Sequence, residues 1–163
     1  MHIIIVGCGR VGSQLAQILS SEGHNVIIID KKASAFKRLG TDFNGITITG
    51  VGFDPDILKR AGIERADALA AVTNGDNSNI MVSEIAKKIY NVPQVLTRIY
   101  DPLRADIYKK FGLNTIGTTT IVAQIFRSAL LKESSKLEFS IGEDLGLIEY
   151  KAREPAAKPE EGA

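Results

Sequence analysis

Short runs of β-branched and aliphatic residues alternate with longer stretches in which apolar positions recur every three or four residues, from residue 2 to about residue 131. Such alternation is the mark of βα units, and βα units in series build a parallel, doubly wound α/β sheet with helices on both faces. The runs predict strands at His2–Val6, Asn25–Asp30, Gly45–Thr49, Ala68–Val72, Gln94–Ile99 and Thr115–Ile116. Ile3, Ile4, Ile5 and Val6 are apolar at successive positions, as a central strand covered on both faces requires. Helices fit between the strands at Val11–Glu22, Ser34–Gly40, Pro55–Ala61, Ser78–Tyr90, Pro102–Phe111 and Thr119–Leu131. Gly23, Gly40, Gly62 and Gly112 mark helix stops, while Asp54-Pro55 and Asp101-Pro102 set a capping carboxylate before a first-turn proline. After Leu131 the alternation ends: Leu137–Ile141 reads as one isolated strand, and Lys151–Ala163, rich in Pro, Ala, Glu and Lys, as a disordered tail. The expected organisation is one α/β domain over 1–133, a short appendage over 134–150 and a tail over 151–163.

The strongest motif, Gly7-Cys8-Gly9-Arg10-Val11-Gly12, follows the first strand at once and opens an amphipathic helix. Gly7 permits a tight turn, Gly9 lets a pyrophosphate approach the backbone, and Gly12 lets helix and strand pack closely. The helix start offers free N–H groups to phosphate oxygens. Asp30 ends the second strand, where a Rossmann-like three-layer fold puts a carboxylate that accepts hydrogen bonds from ribose hydroxyls. A free ribose 2′-OH is therefore expected over a 2′-phosphate, with Lys31 and Lys32 on the following turn. Arg10 either clamps a phosphate or starts the helix with its head in water. Cys8 is read as a small spacer rather than a nucleophile, since no histidine is placed to activate it.

Ligands of such sheets lie beyond the carboxyl ends of the strands, so residues just after each strand should share one crevice. Those positions are Asp30, the turn from Thr49 to Phe53 with Gly50 and Val51, the run from Thr73 to Asp76 with Asn74, and Arg98. Asn79 lies just past that run. Asp76 either touches ligand or caps the next helix, and Arg98 either faces the crevice or pairs with Asp101.

Composition narrows the function. A chain of 163 residues is short for a cofactor domain plus a full substrate domain. Its net charge of +1 supplies no bulk field for nucleic acid. One cysteine cannot close an intrachain disulfide and, with two histidines, cannot build a zinc site, which fits a reducing cytoplasm. The longest apolar run is far short of a membrane span, so a membrane role would come through a partner. The main alternative, an NAD-dependent oxidoreductase, needs a general acid or base beside the nicotinamide. His2 starts a strand, His24 sits in a turn, and Tyr108 and Lys109 are adjacent and so diverge around a helix.

The order of motifs resembles the RCK or KTN family, regulator-of-potassium-conductance domains typified by the N-terminal domains of TrkA-type potassium uptake proteins. The resemblance rests on Ile4 through Gly12, Asp30 after Val26 to Ile29, Asp54-Pro55, Ala61-Gly62-Ile63 leading to Ala66-Asp67-Ala68, Ala71-Val72-Thr73 with Asp76 and Asn79, Val92-Pro93, Arg98 and Phe111-Gly112. It implies a cytosolic domain, peripheral to the membrane through a channel or transporter partner, that binds NAD(H) or an adenine nucleotide (ATP, ADP or AMP) and gates potassium flow. It further implies a phosphate contact for Arg10 and a homodimer, assembled in some members into a ring, held in part by a crossing last helix with Phe126 and Leu130. Two departures stand out. Gly50-Val51-Gly52 replaces the family's Gly-Asp after the third strand, and Thr119-Thr120 replaces a Pro-Glu pair, so no cation site is carried over. Leu137-Glu138-Phe139 resembles the first strand of the family's C-terminal domain, as expected if the chain ends early or is a fragment.

Overall fold

The computed structural model describes residues 1–141 and 144–151. Six parallel strands form one sheet: β1 (His2–Val6), β2 (Asn25–Asp30), β3 (Ile46–Thr49), β4 (Ala68–Ala71), β5 (Gln94–Ile99) and β6 (Asn114–Gly117). Their order is β3-β2-β1-β4-β5-β6, so the chain reverses direction across the sheet between β1 and β4. Each sequence-predicted strand is present, β1, β2 and β5 with the expected bounds and β3, β4 and β6 with ends that differ by one residue.

Period-two alternation along the central strands divides the core. Ile4, Val6, Ile27 and Ile29 pack with Leu58, Ile63, Val82 and Ala86 on one face. Ile3, Ile5, Val26 and Ile28 pack with Ala16, Ala35 and Leu39 on the other. The first face is thereby covered by α2 (Pro55–Arg60) and α3 (Asp76–Lys88), the second by α1 (Arg10–Ser21) and a 3₁₀ helix at Ala33–Leu39. That last segment corrects the expected α-helix at Ser34–Gly40; seven residues wound at three per turn close the short path from β2 to β3. α4 (Pro102–Lys110) and α5 (Thr118–Leu131) complete the βα series. Asp54 and Asp101 cap α2 and α4, each carboxylate accepting from the backbone N–H two residues on at 2.9 Å.

The isolated strand expected at Leu137–Ile141 is instead one arm of an antiparallel hairpin, β7 (Ser135–Ile141) with β8 (Asp144–Tyr150). A lone strand leaves a row of backbone donors and acceptors unmade, and β8 supplies their partners. The Oγ atoms of Ser128 and Ser135 lie 2.6 Å apart, joining α5 to the hairpin. Beyond Lys151, the tail expected to be disordered lies outside the described residues.

One buried side chain fixes the carboxyl ends of β4 and β5 relative to α3. Asn79, with no exposed surface, accepts through Oδ1 from Thr73 N–H at 2.9 Å and Thr73 Oγ1 at 2.6 Å. Its Nδ2 donates to the carbonyls of Thr73 at 3.2 Å and Arg98 at 2.9 Å. Asp76, in the first turn of α3, reaches the same region, its carboxylate accepting from the N–H groups of Tyr100 and Asp101 at 2.9 and 3.2 Å. Replacing Asn79 with alanine orphans buried groups on two strand exits and should cost about 3 kcal/mol. Urea denaturation will show this as a lower midpoint at unchanged m; a loss under about 1 kcal/mol would mean that the strand exits hold without the amide.

Candidate functional site

The carboxyl ends of β1, β2, β4 and β5 surround a cleft of about 930 Å³. Its floor is the glycine loop, and three glycines there have three different surroundings. Gly7 has φ +108°, and a Cβ on it would stand 2.8 Å from the backbone N of Thr73. A Cβ on Gly12 would stand 1.8 Å from the carbonyl oxygen of Gly7. Both are therefore closed by the protein's own backbone. Around Gly9 a Cβ would meet nothing within 4 Å, so at this point the backbone is open to an incoming group. Gly9 also caps α1 without any side-chain hydrogen bond, which leaves the first-turn amides available to an anion.

Asp30 stands beside this loop. One carboxylate oxygen accepts from Cys8 N–H at 2.7 Å and the other from Lys32 N–H at 2.9 Å, so the acid ties the glycine loop to the end of β2. Each oxygen retains a lone pair for a ribose hydroxyl. Cys8 is fully buried, and its Sγ donates to the carbonyl of Ala35 at 3.4 Å. Burial first, then the negative charge of Asp30, push this thiol above its ordinary range, with Arg38 pulling the other way.

Of the residues singled out from sequence, Gly7, Cys8, Gly9, Arg10, Val11, Asp30, Lys31, Gly50, Val51, Thr73, Asn74 and Arg98 line the cleft. Gly12 and Asn79 lie behind its wall, where Gly12 admits the helix and Asn79 holds the strand exits, while Asp76 lines an adjoining hollow with Asn74, Ser78 and Tyr100. Asp76 is thus not the cap of α3, a position that Gly75 occupies. Arg98 does not pair with Asp101; its Nε donates to Thr118 Oγ1 at 3.2 Å and its guanidinium lies 4.1 Å from the centre of the Tyr100 ring. Val51 occupies the wall at the place where the resemblance called for an acid. Gly52 makes room for that wall, since a Cβ there would be 2.1 Å from Val6 Cγ1.

Two polar lining residues, Arg38 and Tyr100, escaped the sequence reading. Arg38 arrives because Lys32, Ala35 and Arg38 all line the cleft at intervals of three, the period at which side chains eclipse in a 3₁₀ helix. Tyr100 follows Arg98 by two residues and so shares its side of the extended chain, a signal present in the alternation. Charge in the cleft is lopsided: Arg10, Lys31, Lys32, Arg38 and Arg98 line it against a single acid, Asp30. Among the described residues none of the five enters an ion pair. Such a lining suits a polyanion.

The family described as the TrkA-N domain matches residues 3–119. The chain is 48% identical over 136 residues to "Trk system potassium uptake protein TrkA" of Streptomyces coelicolor, covering 83% of this chain and 61% of that protein. It therefore spans about three fifths of that relative's length. Among solved structures, the Kef CTD of Shewanella denitrificans in AMP-bound form has a TM-score of 0.66 at 24% identity, over 79% of this chain and 80% of that one. The GsuK channel bound to NAD has a TM-score of 0.65 at 21% identity, over 85% of this chain and 26% of that one. Both structures share the fold of this chain.

The surroundings of Cys8 lead to a chemical expectation. The folded protein should react with a disulfide reagent at pH 8 at least about tenfold more slowly than after denaturation. Because the folded thiol has the higher pKa, its contribution to stability is complete below the unfolded value and fades as pH rises through the folded one. Equal rates in the folded and unfolded protein would place the thiol in solvent.

Proposed function

Because the chain belongs to the TrkA-N domain family, we propose that it is a regulatory protein that binds NAD(H) or an adenine nucleotide and gates a potassium channel or transporter. The observation that carries this reading is the contrast within the glycine loop. Gly7 and Gly12 are filled by backbone, whereas Gly9 opens into a cleft ringed by unpaired cations. In this reading Gly9, Arg10 and Val11 meet phosphate, Asp30 meets ribose, and Lys31, Gly50, Val51, Thr73, Asn74 and Arg98 form the remaining wall. Adenosine lies on the β2 side, over Asp30, and the far end of the ligand on the β4 and β5 side. The 2′-OH preference follows from the charge of Asp30.

Potassium enters through the relatives: the Streptomyces protein is named for potassium uptake, and one neighbour of the same fold is a channel. The membrane-embedded partner would be a separate subunit, with this chain on the cytoplasmic side; no helix among the described residues is long and apolar enough to cross a membrane. A regulatory rather than catalytic role is supported by the family and by the Streptomyces relative, which is named as a potassium uptake protein. His2 is engaged away from the cleft, its Nε2 donating to the carbonyl of Ala61 at 2.9 Å. The division into a nucleotide domain over 1–133 and an appendage over 134–150 is part of the same proposal.

Regulation requires a mobile junction, and α5 supports a homodimer. Val122, Phe126 and Leu130 recur every four residues and are 50, 64 and 79% exposed, an apolar stripe that the described residues do not cover. Leu103, Ile107 and Phe111 repeat the spacing along α4 and its end and are also exposed. A second copy of the chain is the proposed cover for both, possible as a building unit of a ring. A nucleotide shifts such an assembly only by binding its two arrangements with unequal affinity.

Titration calorimetry tests the site. Replacing Asp30 with alanine should weaken AMP and NAD binding by about tenfold or more, through loss of a charge-assisted hydrogen bond. Unchanged affinity would reduce the acid to a loop tie. Replacing Phe126 and Leu130 together with glutamate should convert dimers to monomers in sedimentation; an undisturbed dimer would place the interface elsewhere.

A further inference from the structure

We infer that Arg98 selects the ligand by its terminal phosphate, so that the cleft favours an adenosine di- or triphosphate over AMP and over oxidised NAD. The inference deepens the nucleotide reading and rests on it. Beyond the glycine loop, on the β4 and β5 side, Arg98 is the one charged residue of the cleft wall. Three contacts hold it. Asn79 Nδ2 donates to its carbonyl at 2.9 Å, its Nε donates to Thr118 Oγ1 at 3.2 Å, and the Tyr100 ring lies against its guanidinium at 4.1 Å. These contacts occupy the backbone, the Nε–H and a face of the guanidinium. The two terminal nitrogens have no partner among the described residues, although the side chain is half-buried.

A guanidinium fixed by stacking and by its Nε, with its two-nitrogen edge unclaimed, is preorganised for oxygens of a phosphate. The same edge is a poor neighbour for an oxidised nicotinamide ring, which carries positive charge; the acid on this side, Asp76, directs its carboxylate to the N–H groups of Tyr100 and Asp101. Asp30, the cleft's single acid, lies on the opposite side of β1, at the end of β2. The chemistry that completes this half of the cleft is thus a group with two or more anionic oxygens lying past the first phosphate. AMP ends before it, whereas ADP and ATP extend toward it.

Titration calorimetry of the full chain with AMP, ADP, ATP and NAD⁺ tests the assignment, alongside Arg98→Gln and Arg98→Lys. ADP should bind about tenfold or more tightly than AMP and than NAD⁺. In Arg98→Gln the ADP-to-AMP affinity ratio should fall close to one, and Arg98→Lys should restore part of it. Raising the salt concentration on the unaltered protein should lower the same ratio, a readout that needs no variant to fold. Equal affinity for ADP and AMP, tighter binding of NAD⁺ than of ADP, or an ADP preference that survives Arg98→Gln would overturn the assignment while leaving the nucleotide reading intact. Failure of AMP, ADP, ATP and NAD⁺ alike to bind would overturn both.

Discussion

The whole site depends on how closely α1 can approach the end of β1. Gly12 has room for a hydrogen and nothing more, because any Cβ would overlap the carbonyl of Gly7. Gly7 in turn presses on the backbone of Thr73 at the exit of β4. Helix, strand and neighbouring strand therefore converge with backbone touching backbone, and the chain between them can only fold outward at Gly9. From this crowding follows the open floor of the cleft. Two polar ties then extend the arrangement sideways: Asp30 binds the loop to β2, and Asn79 binds the exits of β4 and β5. The first works in low-dielectric surroundings beside a buried thiol, which is why its charge is felt there.

Polar side chains at this end of the sheet divide into builders and unengaged groups. Asp76 and Asn79 spend their donors and acceptors on backbone, and each would be missed by the fold before it was missed by a ligand. Among the described residues Arg10, Lys31 and Arg38 have no side-chain partner, and they stand around the opening. Arg98 is intermediate, with one edge committed and one free. A protein gains nothing in stability from gathering five positive charges around one acid, since their mutual repulsion opposes folding. Such an arrangement is intelligible as a cost offset when an anion arrives.

Much of this was legible in the chain. Ile3 to Val6 announce a strand buried on both faces, and the register of β1 with β2 and β4 bears that out. The glycine spacing and Asp30 mark the cleft at the ends of β1 and β2, which Gly7, Gly9 and Asp30 line. What stayed hidden was tertiary. Ser34–Gly40 has the composition of an amphipathic helix, and only the short span to β3 winds it at three residues per turn, so Arg38 went unnoticed. The sequence places Asn79 and Asp76 beside the crevice, yet whether a polar side chain faces the cleft or the backbone depends on partners that are distant in sequence, such as Arg98 and Tyr100. The hairpin was half seen for the same reason: the first arm is readable by itself, but its pairing with residues 144–150 is a relation between segments.

The junction of β6 and α5 has no slack. Gly117 ends the strand and Thr118 begins the helix, with no connecting loop between them. Thr118 is also the residue that Arg98 holds from the cleft wall. A helix of 14 residues is about 21 Å long. It is therefore a lever whose short arm ends at the cleft wall and whose long arm carries an apolar stripe into solvent. A tilt of about 10° at the junction would sweep the far end by about 4 Å on that length, comparable to one side-chain radius. Displacements too small to disturb the sheet would in this way be magnified along the exposed stripe of Val122, Phe126 and Leu130.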